Sequence, residues 1–223
     1  TTDCGPTALT TARMLVDPAL HRWVRTGDRG GRAFPEGADA PARFAAYAAL
    51  VHARTNAVTG PAGAWQPPWP QALGTPPWGA RRELESLALP AGTAYRVVWV
   101  RGASPQRWTR LMDGLARHVT AQRPAALYVG SALLPRHVAL LVPDPGVASG
   151  GLLVHDPGSG TVVPLDARSL ATGRLRIGGW AYPWWLIGPV ATVHGTVSRP
   201  ASPVGRGPGR EPRWPRHPHS RAG

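Results

Sequence analysis

The spacing of apolar residues changes part-way along this chain, and that change restricts the fold more than any single residue does. Up to about residue 122 most apolar positions recur at helical spacing, whereas from Ala125 onward they fall in short runs bounded by turn residues. Leu9 to Val16 predict a first helix ended near Asp17-Pro18, with Ala19 to Arg25 as a short helical continuation. Pro41 to Thr55 predict a second strong helix, supported by alanine and by the Phe44, Tyr47, Leu50, Val51 stripe. Arg81 to Leu89 and Pro105 to Gln122 are expected as further helices, with a strand at Tyr95 to Arg101 between them. Strands are then predicted at Ala125–Gly130, His137–Val142, Gly151–His155, Thr161–Leu165 and Trp180–Ile187, with a helical turn over Asp166–Thr172. N-terminal helices followed by a C-terminal antiparallel β-sheet predict an α+β fold rather than alternating α/β.

Prolines mark where regular structure stops. Gly60-Pro61, Pro67-Pro68, Pro70 and Pro76-Pro77 make residues 56–80 a loop, because proline removes ladder donors and breaks helices. Trp65, Trp69 and Trp78 are expected to pack this loop down; a substrate-cleft wall is the functional alternative. From Thr196 the Pro, Gly, Arg and Ser content reads as a disordered tail, which divides the chain into a domain at 1–195 and a tail at 196–223.

The formal net charge of +13 is carried entirely by arginine, and position matters more than the total. Arg199, Arg206, Arg210, Arg213, Arg216 and Arg221 crowd the tail against a single acid, Glu211. Elsewhere the excess is scattered, with no aromatic-flanked basic stripe of the kind that grips single strands. Nucleic-acid binding is therefore expected of the tail at most, not of the domain. No run approaches the roughly eighteen apolar residues of a membrane-spanning helix. No signal peptide is visible, and the compartment, cytoplasmic or secreted, stays open along with the oligomeric state. A single cysteine forms no internal disulfide and gives no argument for an oxidising compartment.

That cysteine, Cys4, lies in Asp3-Cys4-Gly5-Pro6-Thr7-Ala8-Leu9, where a helix is about to start. Pro6 suits a first helical turn, since its φ is already helical and its missing N–H has no partner to lose. A thiol at that end feels the positive pole of the helix, which favours thiolate. The plainer reading is a small buried hydrophobe. A thiol nucleophile needs an imidazole within hydrogen-bond reach and a third group that orients the imidazole. His137 opens one predicted strand and Asp156 closes the next. In an antiparallel hairpin those two ends are neighbours, so Asp156 is expected to reach His137 Nδ1. Asp156 before Pro157-Gly158 is also a turn former. His155 is set aside because adjacent strand residues face opposite sides. No paired ligand spacing points to zinc.

Asp3-Cys4-Gly5-Pro6-Thr7-Ala8-Leu9 resembles the nucleophile motif of the bacterial C39-like peptidases, a branch of the papain-like cysteine protease superfamily. Pro135-Arg136-His137-Val138-Ala139-Leu140-Leu141 is similar to their His strand, and Leu153-Val154-His155-Asp156-Pro157-Gly158-Ser159-Gly160 to the strand and turn that carry their Asp. The resemblance implies a papain-like fold and a hydrolase of peptide or related amide bonds that needs no cofactor. Cys4 would be its nucleophile, His137 its general base and acid, and Asp156 the orienting partner. It also implies a Gln shortly before the Cys; Thr1, Thr2 and Asp3 do not include one, and Gln66, Gln71, Gln106 and Gln122 stand elsewhere. Arg136 replaces the small residue, often Gly, that commonly precedes the family's His. An arginine there narrows the cleft or binds an acidic substrate group. The rival readings are a catalytically inactive papain-like binding module, an acyltransferase of transglutaminase type with the same triad, and an acidic-surface or nucleic-acid binder acting through the arginine tail.

Overall fold

Polar caps followed by proline or alanine write most helix starts. In the computed structural model, which describes residues 4–59, 65–70, 73–88, 92–147 and 150–190, Asp17 Oδ1 accepts from the amides of Ala19 and Leu20 and opens α2 (Pro18–Thr26). Asp39 opens α3 (Ala40–Asn56), Ser104 opens α5 (Pro105–Ala116) and Asp166 opens α6 (Ala167–Ala171) in the same way. Two starts come earlier than expected. Helix α1 runs Cys4–Val16, so Cys4 lies within its first turn, and α4 runs Pro77–Leu87. Pro6 and Pro77 both sit in first turns, where proline is tolerated, so Pro77 begins a helix instead of belonging to the preceding loop. Helix α5 stops at Ala116, short of Gln122. Beyond it, Thr120 and Arg123 exchange backbone hydrogen bonds in a tight turn, and β-branched Val119-Thr120 is poor helix material.

Six strands form one sheet: β1 (Tyr95–Trp99), β2 (Ala125–Gly130), β3 (Pro135–Asp144), β4 (Gly151–His155), β5 (Val162–Pro164) and β6 (Tyr182–Pro189). Their order is β1-β6-β2-β3-β4-β5, and every neighbouring pair is antiparallel. The expected α+β class with an antiparallel sheet is therefore observed. All six residues of β2 are buried. Ala126 and Tyr128 join Val138, Leu140 and Ile187 in a core shared with α1 to α4; Ala125, Leu127 and Val129 join Ala139, Leu141 and Leu186 beneath Trp108, Met112 and Leu115 of α5 and Leu170 of α6. Helices thus cover both faces, because β2 is apolar on both sides and each side has to be kept from water.

Small buried residues of α1 (Gly5, Ala8, Thr10, Ala12) let it pack closely against β3, α3 and α4. One buried acid ties three of the helices together. Glu83 of α4, 6% exposed, accepts from Arg13 of α1 (3.0 Å) and Arg54 of α3 (2.7 Å). Removing it strands two guanidinium groups, although Arg54 keeps some water. Glu83→Ala is expected to destabilise the fold by about 2–3 kcal/mol, below the full range for a wholly buried pair. Urea unfolding is the check, and an unchanged midpoint overturns this.

These elements belong to the unit Thr1–Thr192. The expected tail, 196–223, lies outside the described residues. Among the described residues no helix is long and apolar enough to cross a membrane.

Candidate active site

Two irregularities meet at the C-terminal end of β2. Between β2 and β3 the register jumps from Val129↔His137 to Gly130↔Pro135, which leaves Arg136 as the extra residue. Between β2 and β6 it jumps from Tyr128↔Trp185 to Val129↔Pro183, which leaves Trp184 extra. Bulges twist strands and re-aim the side chains beside them. Gly130 makes the first one possible: a Cβ there would lie 2.7 Å from Pro135 Cα and 2.8 Å from the Arg136 amide nitrogen. His137 follows this bulge, where β3 runs beside the start of α1.

Close approach brings Cys4 to the same place. A Cβ on Gly5 would lie 2.7 Å from Thr75 Cβ, so only glycine lets the segment ending at Thr75 cross the start of α1. Thr75 is itself buried, and its carbonyl accepts from Tyr128 Oη at 3.0 Å. This anchors residues 73–75, the end of the proline-rich loop, as one wall of the site. The expected packing-down of the loop is observed in part. Trp69 packs edge-on against Trp78 (5.1 Å) and Trp185 (6.1 Å), whereas Trp65 is 68% exposed and does not pack down.

The β3–β4 hairpin supplies the carboxylate. Leu140 pairs with His155, so Asp156 follows on the strand end beside His137, as the predicted hairpin pairing required. Asp156 Oδ1 lies 2.7 Å from His137 Nε2 and accepts from the Gly158 amide at 2.9 Å, while Oδ2 accepts from Ser159 Oγ at 3.0 Å. Turn former and imidazole partner, posed as alternatives by the sequence, are one and the same role here. The expected contact at Nδ1 is corrected to Nε2, because the ring reaches the turn with its far nitrogen. The imidazole is also hydrogen-bonded to the Cys4 side chain.

His137 and Asp156 are each 6% exposed, while Cys4 is half-buried. Burial pulls the imidazole's pKa down, yet the hydrogen bond to Cys4 and the charges of Cys4 and Asp156 outweigh it and raise it above the ordinary value. Burial pushes the Asp156 carboxyl up, but the Gly158 amide, the imidazole and Ser159 together hold it below the usual carboxylate range. His155 titrates low, chiefly from burial, and does not line the cavity.

Cys4, His137 and Asp156 line one cavity of about 640 Å³, whose other walls include Gly74, Thr75, Tyr128, Arg136 and Trp180. Gly178, which sequence reading missed, lies over the imidazole: with φ +57, a Cβ there would sit 3.0 Å from His137 Nε2. Its Gly178-Gly179 doublet was the available signal. None of the glutamines is among the described lining residues. Gln66 is buried elsewhere, Gln106 and Gln122 are exposed, and Gln71 lies outside the described residues. Among the described residues no three His, Cys, Asp or Glu side chains are grouped to hold a metal ion. Compared with protein families, curated proteins and solved structures, the chain matches none of them.

Proposed function

We propose that this protein is a cysteine hydrolase of peptide or related amide bonds. What supports the reading is one observation: a thiol, an imidazole and a carboxylate from positions 4, 137 and 156 converge in a single cavity, with the imidazole hydrogen-bonded to both others. In this reading His137 takes the thiol proton, and Cys4 sulfur attacks the carbonyl carbon to give a tetrahedral oxyanion. That intermediate collapses as the C–N bond breaks and His137 gives the proton to the leaving amine, which leaves a thioester on Cys4. Water, deprotonated by His137, attacks the thioester and expels the Cys4 thiolate with the carboxylic acid product. Asp156 holds the imidazole in place throughout. In this reading the backbone N–H of Cys4, at the positive end of α1, donates to the oxyanion.

The testing experiment is labelling by an electrophilic thiol probe together with release of amine from fluorogenic peptide amides. Labelling and turnover are expected in the native chain, and both absent in Cys4→Ala. Turnover surviving in that variant ends the assignment. Adding a primary amine separates hydrolysis from acyl transfer, since a transferase accumulates the amide product instead of the acid.

Gly178→Ala tests the seat of the imidazole. The added methyl group would press on His137, so turnover is expected to fall about a hundredfold, as when a reacting group is displaced by roughly an ångström. The left-handed φ adds about 1 kcal/mol of strain. A variant with undiminished turnover shows that Gly178 does not position the ring.

A further inference from the structure

The cavity holding Cys4, His137 and Asp156 has a neighbour. Ser131 and Trp180 also line a second cavity of about 540 Å³, so the two adjoin. Val100, Trp108, Leu170 and Pro183 stand among its lining residues, and Gly102, Gly173 and Gly179, all at positive φ, keep side chains out of it. Two arginines complete it. Arg101, in the turn just after β1, lies over the rings of Tyr182 (4.6 Å) and Trp184 (5.5 Å), and its Nη2 donates to the Ala132 carbonyl at 3.2 Å. Arg176, from the connection between α6 and β6, donates from Nη1 to the Gly179 carbonyl at 3.3 Å.

Both guanidinium groups are thus held in place by neutral partners, and among the described residues neither pairs with an acid. A guanidinium carries five N–H donors in a fixed fork, so one carbonyl contact leaves most of each fork unused. The only carboxylate among the described residues lining either cavity is Asp156, which is committed to His137, Gly158 and Ser159. Arg136, on the wall of the first cavity, adds a third positive charge. Two adjoining cavities with three cations and one committed anion suit a ligand that carries a carboxylate.

We propose that the second cavity is an anion subsite, in which Arg101 and Arg176 bind a carboxylate of the peptide lying across Cys4. The proposal rests on the hydrolase reading for what is cleaved but not for what is bound. The carboxylate comes either from a Glu or Asp side chain or from the peptide's own C-terminus.

Binding is the test, measured by calorimetry on the full chain carrying Cys4→Ala so that no turnover intervenes. Three series of hexapeptides in an Ala/Gly background serve as probes: one Glu moved through the six positions with an amidated C-terminus, the same with Gln, and a Glu-free series ending in a free carboxylate. At one Glu position, or in the free-carboxylate series, binding is expected about tenfold tighter than for the Gln peptide, the range of one charge-assisted bidentate contact. That preference is expected to vanish in Arg101→Gln/Arg176→Gln, and Arg101→Lys to keep part of it. The series that shows the preference identifies the source of the carboxylate. Equal affinity for all three series, including no binding to any, overturns the proposal. So does a preference that survives in the double variant, which would trace to the other arginines of this basic chain. Failure of the hydrolase reading shows separately, as a chain that binds the Glu peptide with the arginine dependence but never releases amine when Cys4 is intact.

Discussion

Cys4→Ala is expected to lose all probe labelling and to reduce amide turnover by at least about a thousandfold, while its unfolding free energy stays within about 0.5 kcal/mol of the native chain. The two halves of this expectation have separate causes. Cys4 is the only thiol in the sequence, so no other residue can form the thioester or take up a thiol probe. Cys4 is also half-buried at a helix end, so truncating its sulfur leaves little cavity, and α1 is held by Ala8, Leu9 and Ala12 farther along. Circular dichroism and urea unfolding measured beside turnover keep the two apart. Activity lost together with the fold would mean that the side chain is structural; turnover retained with the fold intact would exclude it as nucleophile.

The second large effect is expected from His137→Ala and is best read as a pH profile of Cys4 alkylation. Cys4 and Asp156 together raise the imidazole's pKa, so the ring keeps its proton to higher pH than an ordinary histidine and can hold a thiolate beside it. In the native chain, alkylation should therefore persist well below the ordinary thiol value of about 8.5. Without the ring it should follow that ordinary titration and fall about tenfold per pH unit below it. Unchanged alkylation at pH 6 would show that His137 does not activate the sulfur. The same groups set a stability window. The folded imidazole titrates above its unfolded value, so its contribution is complete below about pH 6.5 and is lost as pH rises through the raised value. The folded carboxyl of Asp156 titrates below its unfolded value, so its contribution is complete above about pH 4 and is lost as pH falls through the lowered one. Asp156→Asn should flatten the acid limb, as followed by thermal unfolding between pH 3 and 6.

Much of this arrangement was legible in local residue patterns. Strands β2 and β4 fall where the apolar runs place them, because a short run bounded by Gly, Asp and Pro has few other ways to pair its backbone. Asp156 was readable as a turn residue for the same reason, since Asp-Pro-Gly-Ser specifies its own hydrogen bonds. Helix ends were read less well. Pro76-Pro77 looks like a break in one dimension, yet Pro77 occupies a first turn, a distinction that depends on whether the residues after it go on to pack as a helix.

What the chain determines by itself is therefore local: the order of helices and strands, the cysteine at a helix start, and the histidine and aspartate at neighbouring strand ends. Short-range sterics and hydrogen bonds decide those features, and they act within a few residues. Tertiary structure alone decided that Asp156 meets Nε2 rather than Nδ1, that Gly178 covers the ring, that helices close both faces of the sheet, and that Arg101 and Arg176 line a cavity adjoining that of Cys4. Each of these depends on two bulges and on a C-terminal strand inserted between β1 and β2. Such long-range register is set by burying both faces of the sheet at once, and no single stretch of residues carries it.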